Sequence, residues 1–197
     1  MKHTSYILSA LLLLSASGCL FPEKIETRIK FREKAKFTGE AAQPEVTIIY
    51  HNISSDAKEE EDFQKDFEEL RKANKKIGVE EETQDGIIVK ERSVSIEAGK
   101  IYSRTVGVPE NNRLEGVVAN GERILVVEGE ENEGIVIEAT NGKVLNTGKN
   151  FIIVWPADLQ EIYWVQRLTP DDEEDKAALT RNQPRLVRMW EEHLKQE

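Results

Sequence analysis

The stretch from Leu114 to Glu128, LEGVVANGERILVVE, carries the clearest fold signal in the chain. Two β-rich runs flank Asn120-Gly121, and this pair favours a two-residue hairpin turn because both residues tolerate positive φ. Asn141-Gly142 repeats the pattern, and Ala98-Gly99 separates two further β-rich runs. No helical pattern lies between these strands to make parallel crossovers, so residues 86–168 are predicted to form an antiparallel meander.

The two most apolar strands of this region are Phe151–Trp155 and Glu161–Arg167. The first has no polar position, which predicts a central strand covered on both faces. Strand alternation places Tyr163 and Trp164 on opposite faces, so at least one of them belongs to the core. Trp155 and Tyr163 are therefore interpreted either as core residues or as aromatic side chains of a recognition surface.

Upstream of the meander, residues 27–53 are predicted to form a pair of strands. The first strand alternates apolar residues with cations, which places five cations on one face. Two interpretations stay open for that face: contact with a membrane or another anionic surface, or a solvated face paired across the sheet with acids. The five cations are Arg28, Lys30, Arg32, Lys34 and Lys36.

Helical patterns occupy residues 56–77 and 170–197. In the first, Asp56 and Glu59 form a predicted capping box, and an apolar stripe runs down one face at Phe63, Phe67, Leu70 and Ile77. The second reads as two helices, one capped by Thr169 with Pro170 at its first position and one beginning near Pro184. The prediction for residues 27–197 is a single α+β domain: an antiparallel sheet, sandwich or partly open barrel, one helix after the second strand, and two C-terminal helices packed on the sheet.

The first eighteen residues have the pattern of a secretory signal peptide. Lys2 precedes an apolar run, Tyr6–Leu14, which is too short to span a bilayer and ends in small residues before Cys19. Ala16-Ser17-Gly18-Cys19 resembles the lipobox of bacterial lipoproteins. The resemblance implies cleavage before Cys19, a diacylglyceryl thioether on its sulfur and an acylated amino terminus.

This resemblance carries expectations about location. Residues 1–18 would be removed, and residues 19–26 would form the lipidated Cys and a short tether. Leu20 follows the Cys where an inner-membrane lipoprotein of enterobacteria has Asp, so the resemblance implies the outer membrane rather than the inner one. A chain held in this way would meet the membrane through its lipid, in the bacterial cell envelope.

Composition excludes several classes of protein. The 197 residues include 27 Lys+Arg and 37 Asp+Glu, a formal charge of −10, which argues against a nucleic-acid partner. The chain has a single Cys, so neither an intrachain disulfide nor a Cys-based zinc site can form. No cofactor motif is found, since the sequence has no Gly-x-Gly, Walker or EF-hand spacing.

Catalytic residues and metal ligands are not predicted either. His51 and His193 have no metal-ligand spacing, and no serine lies in a Gly-x-Ser-x-Gly elbow. The leading hypothesis is a non-enzymatic envelope lipoprotein that binds another envelope protein, a polysaccharide or the membrane. The alternative is a lipid-tethered hydrolase that acts on envelope carbohydrate through a pair of carboxylates.

Overall fold

The computed structural model describes residues 20–31, 43–74, 82–84, 87–110, 117–129, 134–170 and 172–196. In these residues the chain forms two antiparallel sheets, of seven and four strands, and two α-helices. The predicted α+β class is therefore confirmed, and the strands divide between two sheets instead of forming one continuous meander.

The larger sheet consists of β1 (Leu20–Lys30), β2 (Glu45–Ser55), β3 (Glu82–Gln84), β4 (Ile87–Glu97), β5 (Lys100–Pro109), β8 (Ile135–Thr140) and β11 (Glu161–Leu168). Its strand order is β3-β4-β5-β2-β1-β11-β8. The predicted pairing within residues 27–53 is confirmed, since Ile29 on β1 lies opposite Val46 on β2. Ala98 and Gly99, with φ of 50° and 73°, close the predicted hairpin between β4 and β5.

The smaller sheet consists of β6 (Val117–Ala119), β7 (Glu122–Glu128), β9 (Lys143–Asn146) and β10 (Asn150–Pro156), in the order β6-β7-β10-β9. The hairpin predicted at Asn120-Gly121 is confirmed: the two residues have φ of 53° and 80°, and Ala119 pairs with Glu122.

The third predicted hairpin, at Asn141-Gly142, is wrong. These two residues form a corner that leads from β8, at the edge of the larger sheet, to β9, at the edge of the smaller one. A Cβ atom on Gly142 would lie 2.5 Å from the indole nitrogen of Trp155, so the backbone passes against this ring only because residue 142 is glycine. The Asn-Gly pair permits either a hairpin or a corner, because it fixes only the local turn. Which sheet the next strand joins depends on contacts with residues far away in the chain.

The segment predicted as a tether, residues 19–26, is largely strand. β1 begins at Leu20, which is buried and pairs with Ser55, so residues 20–26 belong to the larger sheet. The tether prediction is wrong because the side chains of Leu20 and Ile25 pack in the hydrophobic core. Cys19 and the preceding signal segment lie outside the described residues.

Helix α1 (Glu60–Ala73) carries the predicted apolar stripe, and Phe63, Phe67 and Leu70 are buried. The predicted capping box is wrong, because the N-cap residue is Glu59 and its side chain makes no capping hydrogen bond. The Ser55 hydroxyl instead accepts a hydrogen bond from the backbone N–H of Ala57, which holds the chain just before the helix. Ile77, the last residue of the predicted stripe, lies outside the described residues.

The C-terminal region forms one helix, α2 (Glu173–Leu194), where two were predicted. Its N-cap is Asp172, whose carboxylate accepts from the N–H of Asp175, so Thr169 and Pro170 precede the helix. Pro184 lies within the helix, and a proline there removes one backbone hydrogen bond. The completely buried side chains of Leu186 and Trp190 continue the packed face beyond it, which offsets that loss.

Two layers cover the inner face of the larger sheet. Helix α2 packs against β2 and β5, and its Trp190 contacts Phe67 of α1 edge to face. The smaller sheet packs on the other part of the face, where the rings of Trp155 and Trp164 lie 6.1 Å apart. All three tryptophans are inaccessible to solvent.

A buried polar cluster joins both helices to the end of β2. The Asn182 amide donates to the carbonyls of Ser55 and Ala57 at 3.0 and 2.8 Å. The Ser55 hydroxyl donates to the Asp66 carboxylate at 2.5 Å, and the Ser54 hydroxyl donates to the carbonyl of Leu179. Buried polar groups are tolerated when they are paired in this way.

Candidate functional site

The face of the larger sheet that points away from the core is its open face. Because paired residues on neighbouring strands share a face, the register places the open-face side chains in rows across β5, β2, β1 and β11. Most of them are partly exposed. They include Lys24, Glu26, Arg28, Thr47, Ile49, His51, Tyr102, Arg104, Tyr163, Val165 and Arg167.

Glu26 lies at the centre of the open face and is buried by its neighbours. One carboxylate oxygen accepts from Nε of Arg28, and the other lies 3.2 Å from Nε2 of His51. The His51 ring in turn meets Tyr102 edge to face at a centroid distance of 5.4 Å. Four adjacent side chains on three strands therefore form one connected polar group.

Arg28 extends this group toward β11. Its guanidinium lies over the Tyr163 ring, 5.5 Å from the centroid, and 3.3 Å from the Glu161 carboxylate. The hydrogen bond to Glu26, together with the charges of Glu26 and Glu161, raises the pKa of Arg28 above its ordinary value. The cation is therefore stabilised by acids of its own sheet.

The structure describes only two of the five cations that were predicted to share one face. Arg28 is paired across the sheet, which is one of the two interpretations left open by the sequence. Lys30 is exposed and pairs in register with Glu45 and Glu161. Contact of this strand with a membrane stays a prediction. Arg32, Lys34 and Lys36 lie outside the described residues.

Further ion pairs connect the edges of the open face. Glu138 on β8 contacts Lys24 at 2.7 Å and Arg167 at 3.8 Å, and Arg104 contacts Glu91 at 3.1 Å. Exposed pairs of this kind stabilise a fold by at most about 1 kcal/mol each. Their main effect is to give the open face alternating charges of both signs.

The two aromatic residues predicted as recognition candidates have opposite environments. Tyr163 is partly exposed on the open face beside Arg28. Trp155 is 0% exposed, and its indole N–H donates to Asn141, so its assignment to a recognition surface is wrong. Trp155 is drawn inward because its position on β10 faces the larger sheet, where Trp164 supplies apolar cover.

A second uncovered surface was not anticipated from the sequence. The Phe151–Trp155 run predicts a strand covered on both faces, but only Phe151, Ile153 and Trp155 are buried. Ile152 and Val154 point outward, and the register places further aliphatic residues beside them. This aliphatic outer face consists of Val117, Ile124, Val126, Leu145, Ile152 and Val154. The sequence did contain a sign of this face, because apolar residues occupy both the inward and the outward positions of β10.

The two histidines among the described residues, His51 and His193, lie in different environments. His51 belongs to the open face, whereas His193 on α2 packs against Phe67 and Trp190 beside a groove of about 230 Å³ between the two helices. Among the described residues, no three His, Cys, Asp or Glu side chains are arranged to hold a metal ion. The described part of the chain also contains no helix with the length and apolarity needed to cross a bilayer.

Comparisons with protein-family models, with curated proteins and with solved structures found no match for this chain. The geometry of its surfaces is therefore the basis on which a function is proposed.

Proposed function

We propose that this chain is a non-enzymatic, lipid-anchored binding protein of the bacterial cell envelope, and that the open face is its binding surface. The observation that carries the proposal is the connected group of Glu26, Arg28, His51 and Tyr102, with Tyr163 beside it, on a sheet face that no described helix or strand covers. A broad surface of aromatic rings and charges of both signs suits a protein segment or a polysaccharide better than a small substrate, which binds in a concave site.

The position of β1 limits how the anchored protein can lie relative to the membrane. Leu20 is already part of the sheet, so a lipid on Cys19 would be attached directly at the margin of the folded domain. From Leu20 to Lys30 the strand rises roughly 33 Å. Arg28 and Lys30 therefore reach the bilayer only if β1 lies along it, and the open face otherwise extends away from the membrane.

The anchor is tested by Cys19→Ala in cells, with Ser17→Ala as the control. We expect Cys19→Ala to abolish lipid labelling and either release the protein from the membrane fraction or leave it unprocessed, while Ser17→Ala behaves as the wild type. Unchanged lipid labelling and membrane retention in Cys19→Ala would contradict the proposed anchor.

The binding surface is tested by placing a photoreactive phenylalanine analogue at position 163, with position 61 on α1 as the control. Glu61 is exposed, with 85% of its side chain accessible, and lies away from the open face. We expect a defined protein or polysaccharide adduct from position 163 in native envelopes, lost when Arg28→Glu is added, and none from position 61. Equal labelling from both positions would contradict the open face as a binding surface. Release of sugars from envelope polysaccharide by the purified chain would contradict a non-enzymatic role.

A further inference from the structure

The charges at the centre of the open face balance, although the chain as a whole is strongly acidic. The rows between Lys24 and Lys30 contain five cations and three acids, and two acids on the flanking strands β4 and β8 pair with those cations. The cations are Lys24, Arg28, Lys30, Arg104 and Arg167. The acids are Glu26, Glu45 and Glu161 within the rows and Glu91 and Glu138 beside them. Because these rows have no net charge, electrostatic attraction favours neither a polyanion nor a polycation there, and the net charge of −10 on the whole chain repels a polyanion.

The aliphatic side chains beside Glu26 are kept apart by it. Ile49 on β2 and Val165 on β11 both pair with Glu26, so the buried carboxylate lies between them. The middle of a protein–protein interface is an apolar patch with few charges. The middle of the open face is instead the ion pair of Glu26 with Arg28. This arrangement favours a ligand rich in hydroxyl groups over a protein partner.

Glu26 holds two polar side chains in place for such a ligand. The side chains of Arg28 and His51 are 48% and 28% exposed, and both contact the Glu26 carboxylate. A sugar hydroxyl both donates and accepts hydrogen bonds, so it can accept from a guanidinium and bond to either form of an imidazole nitrogen. Because Glu26 already restrains both groups, less conformational entropy is lost when a ligand binds them.

Tyr102 and Tyr163 lie at opposite corners of this group, and both are partly exposed. Tyr102 belongs to the row of Lys24, and Tyr163 belongs to the row of Arg28, three strands away. The spacing of strands and the rise along them place the two backbones roughly 20 Å apart. The C–H groups on the face of a sugar ring carry partial positive charge and are attracted to the negative face of an aromatic ring. A ligand that reaches both tyrosines is therefore a linear chain of several sugar units.

We propose, on the basis of the binding role proposed above for the open face, that its ligand is a neutral polysaccharide strand of the envelope. The strand lies diagonally across β5, β2, β1 and β11, with one sugar ring stacked on Tyr102 and another on Tyr163. Between these two rings, hydroxyl groups of the strand bind Arg28 and His51.

The first test identifies what is attached to the photoreactive phenylalanine analogue at position 163 of the full-length chain in native envelopes. After protease digestion, we expect mass spectrometry to find a series of neutral sugar units on the peptide that carries position 163. A second peptide or an anionic glycan in their place would overturn the inference and leave the open face a binding surface. Equal labelling from positions 163 and 61 would contradict the binding surface itself, so the two failures are distinguishable.

The second test measures retention of the purified full-length chain on beads that carry either the neutral or the anionic polysaccharides of the envelope, separated by anion exchange. We expect retention on the neutral fraction, with little change between low and high salt, because an uncharged ligand gives salt no attraction to screen. Tyr163→Ala should reduce this retention about tenfold, whereas Tyr163→Phe keeps the ring and should bind as the wild type does.

Far-UV circular dichroism shows that both variants are folded. Retention on the anionic fraction alone, or on neither fraction, would overturn the proposal. Equal retention of the folded Tyr163→Ala variant and the wild type would overturn it too, since the sugar would then bind elsewhere on the chain.

Discussion

The Asn141 side-chain oxygen accepts a hydrogen bond from the indole N–H of Trp155, with 2.8 Å between the two atoms. The same oxygen accepts the backbone N–H of Tyr163 at 3.0 Å, and the Asn141 amide donates to the carbonyl of Glu161 at 2.9 Å. One side chain thus ties β10 of the smaller sheet to β11 of the larger one. The corner at Asn141 serves to hold the two sheets in register with each other.

Replacing Asn141 with Ala should destabilise the domain by about 1–3 kcal/mol, because the buried indole N–H of Trp155 would lose its acceptor. Urea unfolding followed by tryptophan fluorescence measures this loss. Asn146→Ala is the control: its exposed side chain accepts a hydrogen bond from the backbone N–H of Gly148, and its loss should cost less than about 1 kcal/mol. If Asn141→Ala and the wild type have the same free energy of unfolding, the hydrogen bonds of Asn141 do not stabilise the contact between the two sheets.

Gly142→Ala should destabilise the domain by about 1–3 kcal/mol, since the added methyl group would overlap the Trp155 indole at 2.5 Å. A double-mutant cycle with Trp155→Leu checks the cause. The indole atoms nearest the added methyl group are Nε1, Cε2 and Cδ1, and leucine has no ring atoms there, so Gly142→Ala should cost less in the Trp155→Leu background. If its cost is the same in both backgrounds, overlap with the indole does not explain the glycine.

Asn182→Ala should destabilise the domain by about 2–4 kcal/mol, because the carbonyls of Ser55 and Ala57 would both lose a buried donor. The neighbouring Gln183→Ala is the matched control, since its amide donates to Gly99 at the exposed surface and its loss should change stability by less than about 1 kcal/mol. The free energies of unfolding of the two variants would be compared in urea. Similar values would mean that the two hydrogen bonds of Asn182 contribute little to holding α2 on the sheet.

The Glu23 carboxyl provides a test of pH dependence. A hydrogen bond from the Asn52 amide is the main cause that lowers the pKa of Glu23 below its ordinary value of 4.5, and Lys100 and Lys24 add to it against a partial desolvation. Because the pKa is lowered in the folded state, the stabilisation is present above the unfolded value. It is lost as pH falls through the folded one.

Asn52→Gly should therefore raise the pKa of Glu23 and destabilise the domain at pH 7 by less than about 1 kcal/mol, an effect that is lost as the pH falls through the lowered pKa. Glycine is the suitable replacement because Asn52 has a φ of 52°. NMR titration of the Glu23 carboxyl measures the shift directly. Asn120→Gly, at a φ of 53° in a hairpin turn, is the control and should leave the Glu23 titration unchanged. An unchanged titration in Asn52→Gly would assign the lowered pKa to the lysines.

The strands and the first helix were predictable because their patterns are local. The hairpins at Ala98-Gly99 and Asn120-Gly121 follow from residues that accept positive φ, and the buried stripe of α1 follows from helical spacing. The corner at Asn141-Gly142 has the same turn residues as a hairpin, so local chemistry did not distinguish it. Pro184 was likewise predicted to start a helix, because proline is common at the first helical position. That the helix instead continues through it depends on the tertiary packing of Leu186 and Trp190.

The candidate surfaces were less predictable than the strands. The sequence by itself determined the antiparallel β-rich class and the positions of two of the three hairpins, since turn conformation and alternation are properties of neighbouring residues. Only the tertiary structure decided that Trp155 faces inward, that Arg28 meets Glu26 and Glu161, and that Ile152 and Val154 point away from the core. Those outcomes depend on which strand lies beside which and which layer lies above it, and such contacts join residues that are far apart in the chain.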